Sequence, residues 1–137
     1  MTLNGERWAR RVFPRDSVIH LYQDDVPSSG EGTGVPKSIS VPPNSFTKII
    51  VESEGSVSAT SNRLYDLFFR ICLNRVVKQE ARHRHRMVLP NETIVHSWAL
   101  RWAGPFKEGG LIEVAVDGRV PGDAKWSVNG LRLYGVN

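Results

Sequence analysis

Residues 80–87 read EARHRHRM, where imidazole and guanidinium side chains alternate one by one. On an extended strand, residues two apart share a face, so His83 and His85 point one way and Arg82, Arg84 and Arg86 the other. An imidazole pair so placed can chelate a metal, but a site needs further ligands. Bringing His20 or His96 beside it requires a topology that the sequence does not supply. The pair is therefore expected to be the polar side of a strand, with no metal bound. The three guanidinium groups span about 13 Å at the rise of a strand. They suit the carboxylates of a neighbouring subunit or, less well, phosphates. Single-stranded nucleic acid would also require aromatic rings on which bases stack, and none lies in this segment. An exposed edge strand kept from self-association by its charge accounts for the same residues.

Other chemistry is thinly represented. The run GEGTGVPKS places Lys37 and Ser38 after three glycines, but Pro36 stands where a phosphate loop needs glycine, and SISVPPNS does not continue as a helix. Asp24/Asp25 and Glu52/Glu54 are carboxylate pairs, of which the second sits before Gly55 and reads as a solvated strand end. Trp98 and Trp102 bracket Leu100 on one strand face and read as core. Trp126 is less constrained and is a candidate outward platform for a ligand such as a sugar. No serine, cysteine or histidine set forms a nucleophile constellation, so no catalytic residue, no cofactor and no enzymatic activity are expected.

The elements that must carry these residues are legible from period and punctuation. The chain has 137 residues, 40% hydrophobic and 23% charged, which suits one globular domain with its own core. The net charge of +4 comes from 18 basic against 14 acidic residues, a weak excess for a nucleic-acid protein. The single cysteine, Cys72, between Ile71 and Leu73, reads as a buried apolar residue. No stretch is apolar enough for a membrane helix, and the absence of an apolar leader leads to the expectation of synthesis in the cytoplasm.

Period-two alternation dominates beyond residue 36, in FTKIIVES, TIVHSWALRW and LIEVAVDG. Asp117-Gly118 and Asn129-Gly130 read as hairpin turns. The stretch from residue 63 to 82 fits either a helix or two strands, and the strand reading, with Tyr65, Leu67, Phe69, Ile71 and Leu73 on one face and a turn near Asn74-Arg75, explains more residues. The expected fold is an all-β antiparallel sandwich, jelly-roll-like, over residues 17–137. Residues 27–36, rich in Pro, Ser and Gly, are expected as a loop. A basic N-terminal arm, residues 1–16, carries Arg7, Arg10, Arg11 and Arg15 around Trp8 and Phe13.

From Leu67 onward the order LFFRICLNRVVKQEARHR, LPNETIVHSWALRWAGPFKEGGLIEVAVDG and WSVNGLRLYGVN resembles the compact β-sandwich modules of tailed-bacteriophage virion proteins. These include capsid decoration (cement) proteins and distal tail or fibre heads. The resemblance is architectural and covers roughly the last 70 residues. It implies a non-enzymatic virion protein, often a homotrimer, whose arm (Arg7, Trp8, Arg10, Arg11, Phe13, Arg15) docks on a major capsid or other shell protein. Arg82, Arg84 and Arg86 are then candidate subunit contacts. The alternatives are a receptor- or carbohydrate-binding head using Trp126, and a nucleic-acid-binding β-barrel using the arginines.

Overall fold

The computed structural model describes residues 18–24, 26–31, 33–59, 65–85, 93–118 and 125–136. They form nine strands: β1 (Val18–Asp24), β2 (Ser28–Glu31), β3 (Gly34–Val41), β4 (Lys48–Ala59), β5 (Tyr65–Leu73), β6 (Val76–His85), β7 (Ile94–Pro105), β8 (Gly110–Gly118) and β9 (Lys125–Val136). The arm at residues 1–16 and Arg86 lie outside the described residues.

The strands build two antiparallel sheets, β1-β9-β4-β7 with β2 also on β9, and β3-β8-β5-β6. After β2 the chain passes to the second sheet, back for β4, over again for β5 and β6, and then alternates through β7, β8 and β9. This interleaving is the double Greek key of a jelly roll, so the expected sandwich is the observed fold. Alternation explains the core directly. Ile49, Val51 and Val57 of β4 and Trp98 and Leu100 of β7 face Leu67, Phe69 and Ile71 of β5 and Ile112, Val114 and Val116 of β8, all buried. The rings of Phe69 and Trp98 meet between the sheets at 4.5 Å. The stretch 65–85 is two strands joined by a tight turn, with Asn74 and Arg75 at φ 50° and 65°, values that asparagine tolerates better than most residues. Asn74 also locks that turn to the start of β8, accepting from Leu111 N at 2.8 Å and donating to Gly109 O at 3.0 Å.

Two turn expectations are corrected. Asn129-Gly130 is not a hairpin but lies inside β9, where Glu54 pairs with Gly130 and Gly55 with Val128, leaving Asn129 as the extra residue of a β-bulge. The same glycine and asparagine that suit a turn also suit a bulge. Residues 27–36 are not one loop, since they contain β2 and the start of β3. Their glycines serve close packing, because a Cβ at Gly30 would lie 2.4 Å from the Trp126 ring and one at Gly34 3.1 Å from it. Glycine within a strand often marks such an approach.

The edge of the first sheet shows why Lys37 is where it is. β1 and β2 run along the same side of β9, one on Leu131–Val136 and the other on Lys125–Val128, and the break between them faces the bulge. Lys37 projects from the inner face of β3 beside Val114 and is 7% exposed. Its ammonium donates to Asp24 Oδ2 at 2.7 Å and to Val26 O at 2.5 Å, while Asp24 Oδ1 accepts from Val26 N at 3.0 Å. A buried ammonium is tolerated only when so paired, and this one clasps the two sheets. Asp24 is therefore part of a structural pair, and its carboxyl is held below its ordinary value by the hydrogen bond from Lys37, with the Val26 amide assisting.

Replacing Lys37 by Met should lower unfolding stability by about 1–3 kcal/mol, the usual loss for a hydrogen-bonded charged group left without its partner, as read by urea denaturation at pH 7. Because the folded carboxyl is depressed, Asp24 contributes stability above its unfolded pKa of about 3.9 and loses it as pH falls through the lower folded value. The gap between native protein and variant should hold steady from pH 7 to 5 and shrink below about pH 4.

Candidate functional site

The two arginines of β6 that are described stand on the outer face of the second sheet, and β5 supplies what the sequence reading missed. Register sets Arg82 opposite Phe68 and Arg84 opposite Asp66. Asp66 lies between them, accepting from Arg82 Nη2 at 2.8 Å and from Arg84 Nε at 3.2 Å. Its carboxyl is held low by the hydrogen bond from Arg84 and then that from Arg82, with burial opposing, so it stays ionised near neutrality. Arg70 forms the next pairs, with Glu80 at 2.6 Å and Asp117 at 3.2 Å, and Thr33 donates to the other oxygen of Asp117 at 3.1 Å. Phe68 lies among these charges, with the Arg70 guanidinium 4.7 Å and that of Arg82 6.0 Å from its ring centroid.

This face thus carries a lattice of three cations, three carboxylates and one ring, exposed where Arg82 and Arg84 reach solvent with half of their side-chain surface. Asp66 is the feature that period-two reading of EARHRHRM had no means to find. It sits sixteen or more residues away in sequence and becomes the arginines' neighbour only through the β5–β6 register. The lattice lowers the arginines' appetite for free phosphate, since one carboxylate already serves both. Each guanidinium has five donors in a fixed fork, and only part of that capacity faces Asp66, so further carboxylates or carbonyls of a protein surface can be bound.

Across the molecule, Glu52 and Glu54 are corrected from a solvated strand end to the middle of β4. Glu52 is 5% exposed and is held by Arg101 from β7 at 3.0 Å and by Arg132 from β9 at 3.0 Å, with Arg132 also reaching Glu54 at 2.8 Å. Ile50, Tyr134 and Val136 share that sheet face and are fully buried, which gives these ion pairs a drier setting than those around Asp66.

The remaining predicted positions are placed as follows. Trp126, expected as an outward platform, is partly buried against the core cluster and lies over Gly30 and Gly34. Its indole nitrogen is buried and meets no hydrogen-bond partner among the described residues. Trp98 is core, as its spacing indicates, and Trp102 is partly buried against the core cluster. Cys72 is buried, and burial pushes its thiol up. His83 is not on a merely polar face but on the inner side, opposite Leu67, with its ring 5.7 Å from that of Phe69 and 5.6 Å from that of His96. Among the described residues no group of three histidines, cysteines or carboxylates could hold a metal, and no helix is long and apolar enough to cross a membrane.

No family model matches the chain, and no curated protein does. Among solved structures it is similar to a chain in the structure of infectious bursal disease virus Gt strain, at a TM-score of 0.43 and 16% identity over 88% of this chain and 33% of that one. The chain therefore spans about a third of that neighbour's length.

The two ionic clusters should respond differently to neutralisation. Glu52→Gln leaves Arg132 and Arg101 without their buried carboxylate and should cost about 2–4 kcal/mol in urea unfolding, near the range for one broken half of a buried pair. Asp66→Asn should move the urea midpoint far less, because the pairs it breaks are solvated and screened.

Proposed function

We propose that this chain is a non-enzymatic structural protein of a virion, of the decoration or cement type, that binds a protein shell and stabilises it by bridging subunits. The observation that carries the proposal is the jelly-roll strand order, an architecture that viral capsid proteins use together with lectins and cupins, combined with an outer sheet face built from half-exposed arginines. Fold alone does not fix function, so the face is what sharpens the reading. Arginine and aromatic side chains are the groups that most often dominate interface energy, and Arg82, Arg84 and Phe68 present both. In this reading Arg82 and Arg84, with Arg86 next in sequence, contact carboxylates of the shell or of a second copy. The segment 1–16 supplies a second anchor through Arg7, Trp8, Arg10, Arg11, Phe13 and Arg15, and the working assembly is a trimer. A glycan-binding tail or fibre head is the competing reading, to which Trp126 brings little while its ring covers Gly30 and Gly34.

Particles purified by density gradient from the source of this chain should contain it in many copies. The double variant Arg82→Glu/Arg84→Glu, folded as judged by its thermal transition, should rebind stripped particles at least tenfold more weakly. Recovery of the chain only outside particles, or glycan binding with none to particles, would overturn the proposal.

A further inference from the structure

A sandwich buries one face of each sheet and turns polar residues outward on the other. The outer face of the first sheet departs from this on β4 and β9. Ile50 pairs with Tyr134 and Lys48 with Val136, so Ile50, Tyr134 and Val136 are neighbours on that face, and all three are 0% exposed. Towards β7 the same face opens, with Ala99, Arg101 and Pro105 exposed. A side chain on a bare sheet face keeps part of its surface in water, so these three lie under a cover. Among the described residues no strand packs there. The nearby turn does not supply it either, since Pro42, Pro43, Asn44 and Thr47 are exposed and Phe46 packs on the core between the sheets.

Four stretches longer than one residue lie outside the described residues, and topology separates them. The connections 60–64, 86–92 and 119–124 open at the far end of the first sheet, where Ala59 pairs with Ile94 and Ser58 with Lys125. Ile50 lies nine residues before Ala59 on β4, about 30 Å away at the rise of a strand. The longest of these connections has seven residues and spans at most about 25 Å fully extended, so none can reach Ile50 and return. Residues 1–17 instead lead directly into Val18, which pairs with Val136 itself. From β1 to β4 is two strand spacings, roughly 10 Å, a distance that a few extended residues cover.

We propose that residues 1–17 fold back over the outer face of the first sheet of their own chain. Trp8, Val12 and Phe13, the large apolar side chains nearest to Val18 in this segment, are then the groups laid on Ile50, Tyr134 and Val136. The same cover accounts for the dry setting of Glu52, 5% exposed on that face. The inference goes beyond the virion reading and does not depend on it. In the free chain the segment is stored on its own sheet, and to serve as a shell anchor it has to be released first.

The test is nuclear magnetic resonance on the full chain with labelled methyl groups. Nuclear Overhauser contacts from the Trp8 and Phe13 rings to the methyl groups of Ile50 and Val136 are expected, and in an equal mixture of labelled and unlabelled chains they should stay within one chain. Contacts of those methyls with residues 60–64, 86–92 or 119–124 instead, contacts only between chains, or none to residues 1–17 would overturn the proposal. Trp8→Ala/Phe13→Ala should remove the contacts and raise binding of an apolar-surface dye about threefold or more, with the strand circular dichroism kept. Unchanged dye binding by a folded variant would count against the cover. Should the variant unfold, the contacts in the native chain decide alone.

Discussion

Everything in this molecule depends on the burial of two apolar sheet faces against each other. Leu67, Phe69 and Ile71 from one sheet and Ile49, Val51, Trp98 and Leu100 from the other are at most 6% exposed. Each fully buried side chain of this size contributes roughly 1.5–3 kcal/mol relative to exposure, so the sandwich needs neither disulfide nor metal to close. Its strands are forced into register by that burial, because a slip of one residue would turn every apolar side chain outward. The outer faces are then free to carry charge, and both do.

The two outer faces use the same chemistry for different ends. On the first sheet, Glu52 lies at 6% side-chain exposure between Arg101 and Arg132, and that arrangement holds β4, β7 and β9 together. On the second sheet, Asp66 is shared by two arginines that remain half-exposed, which leaves guanidinium capacity for another molecule. A mixed lattice of this kind favours a protein surface of complementary pattern over a uniform polyanion, since its carboxylates repel phosphate as its arginines attract it.

Much of the fold was legible in the sequence because strand patterning is local. The even positions of β7, the face of β8 and the separation of Arg82 and Arg84 from His83 on β6 follow from period two alone. What escaped was non-local or ambiguous in composition. Asn129-Gly130 has the residues of a turn but serves a bulge, and Gly30 and Gly34 look like loop residues although they make room for Trp126. Lys37 stands in a run that mimics a phosphate loop, and only the placement of β1 beside β3 shows its ammonium to be a clasp. Asp66 beside the arginines, and His96 beside His83, likewise depend on which strands become neighbours. The candidate site was thus half visible, with its cations readable and their carboxylate hidden.

A near-atomic density map of an intact particle containing this chain would test the proposed shell contact most directly. The outer face of the second sheet, at Arg82 and Arg84, is expected within hydrogen-bond distance of carboxylates or carbonyls of a neighbouring subunit. A map in which that face looks into open solvent, with the chain held elsewhere, would contradict it.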